Sequence, residues 1–445
     1  MTSNDICVIG LGRVGLVLAC ILADLGFRIY GIEANGEKRD SLVKGKVPYY
    51  EQGLDDLLKR LIKNESLLVH HKLDPEVART VEAYIVCVGT GINLRTKKPL
   101  LTDLTKALTD IGKHLKKEDL VVVRSTVPVG TVGNVVRKIL EKISGLSAGK
   151  DFCLAFAPER MIEGRALKES RSLPQIIGGI DEESLNRAAR IFEKVTKTTV
   201  RVSSLEVAEM IKIIDNTYRI VNIALGNEIG LLCEVLGVDA YEVVNAANYA
   251  YPRNKVMVPG AGVGGSCLVK DPWYLMGLAK ERGLTCSSSI IRLAARSRNT
   301  MSNHVIELVR EGLGEIGKEV KGSKILILGF AYKGDPPTDD TRFAPTEFVV
   351  RGLKEMGAEL IGYDPVVSPN RIKIMGAKPA RSIAEGAKGA SCITIMTNSR
   401  MFNNLNLEEL KKHVAKKCVI VDGWHMINRR SALTNRFHYL CLGVG

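Results

Sequence analysis

The sequence predicts an α/β protein built from two doubly wound domains, joined by a long central helix and a helical middle domain. Three observations carry this expectation. A strand, glycine turn, helix and strand open the chain; a second βαβ-like unit begins near residue 324; and residues 204–237 keep helical apolar spacing throughout. At 445 residues the chain also exceeds what one core organises, since single cores stop growing near roughly 250–300 residues. The expected boundaries are 1–203, 204–310 and 311–445.

The elements follow in order. Residues 6–9 and 27–32 are short apolar β-runs flanking a helical pattern at 14–25, which makes a βαβ opening. Further strand candidates lie at 83–88, 120–124, 153–157 and 175–178, separated by helical segments, so a parallel sheet with helices on both faces is expected to about residue 200. Ser204 is a plausible N-cap and Gly237 a stop for one helix of roughly 45–50 Å. That length suits connecting two domains or dimerising. The second unit reads as a strand at 324–329, a helix at 345–356 and a strand at 359–363 ending in Asp364-Pro365, with more β-runs at 392–396 and 418–421. Both units are thus Rossmann-like.

Composition narrows the class of function. Apolar residues at 45% and charged residues at 25% are ordinary for a globular protein and argue against extensive disorder. The net charge of +14 admits nucleic acid, an acidic membrane surface, a phosphorylated small molecule or simply a basic solvated surface. The basic residues are scattered, without the block of like charges that marks a nucleic-acid arm. The N-terminus runs straight into a strand without a signal-peptide pattern, and no stretch reaches about 18 uninterrupted apolar residues. A cytoplasmic protein is expected. The ten cysteines lack CxxC or zinc-site spacing, so no metal is expected and nine of them read as buried reduced thiols.

The tenth is Cys267. It sits in Pro259-Gly-Ala-Gly-Val-Gly-Gly-Ser-Cys267-Leu-Val-Lys-Asp271, where glycines let the backbone approach a ligand and deliver the thiol to that surface. Either Asp271-Pro272 caps and opens a helix just beyond it, or the helix starts near Ser266 and carries Pro272 in its first turns. Both starts bring positive dipole potential near the sulfur.

Gly10-Leu11-Gly12-Arg13-Val14-Gly15 fits GxGxxG after a strand and before a helix. Its glycines serve the turn, the close approach to a pyrophosphate and helix–strand packing. Glu33, at the end of the second strand, can accept hydrogen bonds from ribose hydroxyls and repels a 2′-phosphate, which favours NAD over NADP. Lys212 and Asn216 stand four apart on one face of the long helix, where a cation and an amide can stabilise an oxyanion; the bland alternative is a solvated stripe.

Taken with Ser125-Thr126-Val127-Pro128-Val129-Gly130-Thr131, Ala157-Pro158-Glu159-Arg160, and Gly329-Phe330-Ala331-Tyr332-Lys333 leading to Asp339-Asp340-Thr341-Arg342, these segments resemble the UDP-glucose/GDP-mannose dehydrogenase family nearly end to end. The resemblance implies a Rossmann NAD domain, a dimer-forming helical middle and a C-terminal UDP-binding domain. It implies that Thr90 and Thr126 touch the cofactor, that Arg342 approaches it from the other domain, and that Lys333 serves the nucleotide-sugar phosphates. Glu159 and Asp271 would handle protons and water, while Lys212 and Asn216 hold the oxygen on the reacting carbon. Arg160 and Gly264 join the substrate site, and Arg253 reaches the site of a neighbouring subunit in a homodimer. Two departures stand out. The cofactor loop reads Val88-Gly89-Thr90-Gly91, where the family commonly has prolines around the threonine, and Trp424 stands where many members have a substrate-binding arginine.

The implied reaction is a four-electron oxidation of a sugar C6 alcohol to a carboxylate, through a thiohemiacetal and thioester on Cys267, consuming two NAD. A two-electron β-hydroxyacid dehydrogenase needs neither this thiol nor a second nucleotide-sized domain. A non-catalytic NAD-binding protein and a basic nucleic-acid binder are the readings of another class. For the sugar, Ala157-Pro158-Glu159-Arg160, Tyr251-Pro252-Arg253 and Asp271-Pro272-Trp273 resemble the N-acetylhexosamine branch, UDP-N-acetylmannosamine included. Ser266-Cys267 with Lys270, and the stretch from Glu163 to Leu167, resemble the UDP-glucose branch. The expectation leans to N-acetylhexosamine.

Overall fold

The computed structural model describes residues 4–284 and 289–445. It divides into two compact units, Met1–Asn216 with Trp273–Thr285, and Thr217–Pro272 with Cys286–Gly445.

The first unit is built on strands β1 Asp5–Ile9, β2 Arg28–Ile32, β3 Leu67–His70, β4 Ala83–Val86, β7 Leu120–Val123, β8 Cys153–Phe156, β9 Gln175–Gly179 and β10 Thr199–Val202, with a small hairpin, β5 Gly91–Ile92 and β6 Pro99–Leu100, between β4 and β7. The spatial order is β10-β9-β8-β7-β4-β1-β2-β3. Every residue of β4, β7 and β8 is buried, which is why these strands read as unbroken apolar runs. The edge strands β3 and β10 are half-exposed and lack that signal, and the sequence reading passes over them.

The expected parallel sheet needs one correction: β9 runs antiparallel to β8. The Gln175 amide donates to Pro158 O at 2.9 Å and accepts from Arg124 at 2.8 Å, holding the start of β9 at the carboxyl end of β8, so the strand enters the sheet from that end.

The second unit carries β11 Lys324–Leu328, β12 Glu359–Tyr363, β13 Lys378–Pro379, β14 Cys392–Ile395, β15 Val419–Asp422 and β16 His438–Cys441. All pairs are parallel and the order is β13-β12-β11-β14-β15-β16, the doubly wound dinucleotide-fold order. Helix Pro345–Glu355 opens with proline in its first turn, where the missing N–H costs nothing.

The long helix is a single element, Leu205–Leu236, ended by Gly237 at φ +68°. Its first turns belong to the first unit and the rest to the second. Within the second unit Tyr218, Leu225, Leu232 and Leu236 project from it with between 49% and 73% of their surface exposed, spaced seven, seven and four apart, so they form one apolar stripe. No helix among the described residues is long and apolar enough to cross a membrane.

Candidate active site

In an open doubly wound sheet the ligand sits at the carboxyl ends of the strands where the order reverses, which in the first unit is between β1 and β4. Gly10 follows β1 with φ +91°, donates to Ile32 O at 2.8 Å, and lies so close to Cys87 that a Cβ would meet its carbonyl at 3.0 Å. A Cβ on Gly15 would fall 1.9 Å from Gly10 O, so only glycine lets the helix Gly15–Asp24 start here. At Gly12 a Cβ would meet nothing within 4 Å. That glycine leaves open space over the helix N-terminus. No side chain caps this helix and its first turn carries no acidic residue, so its amides suit a pyrophosphate.

Glu33 follows β2, mostly buried, with its carboxylate accepting from Asn35 N at 2.9 Å and its amide bound to His70 O. Across the switch point, the Thr90 hydroxyl donates to Thr126 O at 2.5 Å and Ser125 donates to Val88 O at 2.7 Å, so the loops after β4 and β7 are tied together. Gly10, Gly12, Gly15, Glu33, Thr90 and Thr126 thus share one edge of one sheet, and this edge fits NAD.

On the long helix Lys212 is half-buried and Asn216 buried. One turn before Lys212, Glu209 is wholly buried and its two oxygens accept from Gly130 N at 2.5 Å and Val132 N at 2.8 Å. Burial pushes its carboxyl up to about 7, against those two amides, which pull it down. Glu159 is held on every side: Arg124 pairs with one oxygen, and the amides of Arg160 and Met161 donate to the other at 2.6 Å each. Its carboxylate is thereby fixed in place by three donors. Arg160 itself pairs with Asp215 of the long helix at 2.8 Å.

The helix bearing the cysteine runs Ser266–Glu281 with Pro272 inside it, its residues to Pro272 counted with the second unit and the rest with the first, so of the two starts the sequence left open the earlier one is found. Cys267 lies in the first turn and is exposed; of the other eight described cysteines, seven are buried and Cys87 is half-buried. Burial pushes the thiols of Cys20, Cys87 and Cys392 up to about 12, which removes them as nucleophiles at neutral pH. Cys286, expected to be a buried thiol, lies outside the described residues. One turn past Cys267, Lys270 pairs with Asp271 at 2.5 Å, the aspartate fully buried.

The glycines ahead of Cys267 have their own steric reason. A Cβ on Gly264 would lie 2.8 Å from both Phe343 O and Tyr332 Cβ, while Gly265 has φ +83° and donates to Arg342 O at 3.1 Å. The loop is thus laid directly on the Tyr332–Phe343 region of its own unit. Gly260 is pressed in the same way against the Trp424 ring, whose indole N–H donates to Met396 O at 2.9 Å. Trp424 is thus an aromatic plate under the loop.

Lys333 donates to Pro336 O at 2.5 Å beside the carboxyl end of β11. Arg342 is locked in a bidentate pair with Asp340 at 2.6–2.9 Å, though half its side chain stays exposed. Arg253 stacks on Tyr251, ring centroid to guanidinium 4.5 Å.

Sequence reasoning missed several partners. Arg124 and Glu209 were readable only as a strand end and a helix position three before Lys212. Asp364 accepts from Phe330 N and Ala331 N, and Asn398 from Gly334 N and Asp335 N, together shaping the loop that bears Lys333. For Asp364, the strand-terminal Asp-Pro was a usable signal.

One unit offers a glycine turn, an open helix N-terminus and a carboxylate at the end of β2, and the other an exposed cysteine on a glycine loop beside a second doubly wound sheet. Together these define an NAD-dependent dehydrogenase with a nucleotide-sized second domain. Models of the UDP-glucose/GDP-mannose dehydrogenase family match throughout: the NAD binding domain at residues 4–196, the central domain at 206–300 and the UDP binding domain at 326–429. A UDP-N-acetyl-D-mannosamine dehydrogenase from Pyrococcus horikoshii is 34% identical, aligned over 95% of this chain and 96% of its own. A solved UDP-D-ManNAc dehydrogenase from the same organism superposes with TM-score 0.89 at 32% identity, covering 99% of both chains. A UDP-glucose dehydrogenase from Pyrobaculum islandicum gives TM-score 0.86 at 26% identity, covering 100% of this chain and 98% of its own. The chain belongs to the UDP-glucose/GDP-mannose dehydrogenase family: it is an NAD-dependent nucleotide-sugar dehydrogenase, an oxidoreductase.

Proposed function

We propose that this enzyme oxidises the C6 alcohol of a UDP-N-acetylhexosamine, UDP-N-acetyl-D-mannosamine first among them, to the carboxylate. The observation that carries the sugar is the 34% identity, across nearly the whole of both chains, to a relative bearing that name. Bound NAD supplies the hydride acceptor, one molecule for each of two oxidations. Lys212 and Asn216 hold the alcohol oxygen and stabilise the charge it develops as its proton leaves. Once the aldehyde forms, the Cys267 sulfur adds to the carbonyl carbon, giving a thiohemiacetal that keeps the reactive aldehyde bound. Loss of a second hydride and the hydroxyl proton leaves a thioester. Water then attacks the thioester carbon and releases the acid and the thiol, with Asp271 and Glu159 orienting that water, each paired with a cation, Lys270 and Arg124 respectively. Lys333, Arg342, Arg160 and Gly264 serve the nucleotide sugar and cofactor.

Three further parts belong to this reading. The chain is organised as 1–203, 204–310 and 311–445. It forms a homodimer through the apolar stripe of the long helix, with Arg253 reaching the neighbour's site. It acts in the cytoplasm, where NAD and nucleotide sugars meet. UDP-glucose is the second reading, favoured by the Pyrobaculum structure. A panel of UDP-sugars followed by NADH absorbance decides: kcat/KM should be highest for an N-acetylhexosamine, and a preference for UDP-glucose would overturn the choice.

A further inference from the structure

We propose that Tyr274 is a positioning residue, whose hydroxyl fixes the cofactor loop 88–91 to the helix that carries Cys267. This rests on the reading that Thr90 contacts NAD. Tyr274 is 2% exposed, and its hydroxyl donates to Gly91 O at 2.6 Å. The neighbouring residue is Thr90, bonded in turn to Thr126 O. A second contact runs beside it: Lys97, in the turn of the β5–β6 hairpin, lies 4.9 Å over the Trp273 ring. Two adjacent residues of one helix therefore grip both ends of the segment that begins at Thr90.

The loop needs such a grip. Gly89 and Gly91 flank Thr90, yet neither lies in the left-handed region. A Cβ would meet nothing within 4 Å at Gly89 and only ordinary contact with Leu100, at 3.6 Å, at Gly91. These glycines answer no steric demand. What they do is leave the backbone around Thr90 free to sample many conformations, so its order must come from elsewhere. Tyr274 supplies the tie on the Gly91 side of Thr90, beside those that Thr90 and Ser125 make to the loop after β7, and it stands seven residues after Cys267 on the same helix. The hydroxyl thus ties the loop to the first-unit part of that helix.

Replacing this hydroxyl leaves the ring packed, and the half-exposed Gly91 carbonyl turns to water. The fold should survive while NAD binding takes on the cost of ordering the loop. For Tyr274→Phe we expect the Kd and KM for NAD to rise about five- to tenfold, with kcat at saturating NAD and KM for the UDP-sugar within about twofold of wild type. Gly91→Ala stiffens the loop by another route. It should recover part of the lost affinity in the Tyr274→Phe background and change little in the wild-type background. Binding of NAD to the full chain is measured by calorimetry, alongside thermal melting and Thr90→Ala. Tyr274→Phe with unchanged NAD affinity, while Thr90→Ala weakens it, overturns the proposal and leaves the loop's role standing. Unchanged affinity in both variants overturns the loop's role and the proposal together. A fall in melting temperature without any change in the NAD constants, or no recovery by Gly91→Ala, also overturns it, since the hydroxyl would then serve only the fold.

Discussion

Gly12→Ala separates what the glycine turn does for the fold from what it does for the cofactor. A Cβ there meets no protein atom within 4 Å, and Gly12 does not adopt a positive φ, so the folded chain has room for it. Removing glycine's freedom from the unfolded chain should stabilise the protein without ligand by about 0.4–1 kcal/mol. For a unit of this size that raises the melting temperature by roughly 1–4 °C. The methyl group stands in the space a pyrophosphate would fill, and displacing a phosphate from a backbone amide forfeits a charge-assisted hydrogen bond of about 1.5–3 kcal/mol. NAD should therefore bind roughly 10- to 100-fold more weakly. Gly15→Ala is the contrast: its Cβ would lie 1.9 Å from Gly10 O, so folding itself should lose about 1–3 kcal/mol or more. Melting curves and NAD titrations of the two variants are the assay. A Gly12→Ala enzyme that binds NAD as tightly as wild type would refute the placement of the pyrophosphate here.

Three further outcomes are expected. With Glu33 assigned to the cofactor ribose, kcat/KM with NADP should be far below that with NAD, and Glu33→Gln should narrow the gap; equal use of both cofactors by wild type contradicts the assignment. Burial holds Glu209 near 7 against an ordinary 4.5, so between those values the folded chain retains a proton the unfolded chain has lost, and stability falls as pH rises through that window by about 3 kcal/mol, a slope that urea unfolding should find missing in Glu209→Gln. Leu225→Glu with Leu232→Glu should convert a dimer to monomer by light scattering, and an unaltered mass would remove the helix stripe as the interface.

Much of this was legible in the sequence because its signals are local. The GxGxxG turn, the buried strands β4, β7 and β8, and the long helix declare themselves through spacing and unbroken apolar runs. The exposure of Cys267 was readable from the glycines before it. The start of its helix was not, because a proline seven residues in reads equally well as a beginning. Long-range pairs stayed hidden for the same reason. Nothing near Glu159 in sequence announces Arg124, and nothing near Gly91 announces Tyr274, since those contacts exist only once the sheet has brought distant loops together. The glycines of the Cys267 loop were assigned to ligand approach, whereas Gly264 is also demanded by Tyr332 and Phe343 from within its own unit.

The central claim is that Cys267 is the covalent nucleophile of a four-electron oxidation, and turnover of Cys267→Ser with UDP-N-acetyl-D-mannosamine, scored as NADH formed per sugar consumed, tests it most directly. Wild type should form two NADH per sugar. The serine variant should retain NAD binding while steady turnover falls by orders of magnitude, because a hydroxyl is a far weaker nucleophile and a poorer leaving group than a thiol. An unchanged kcat with two NADH per sugar in that variant would contradict covalent catalysis at this residue.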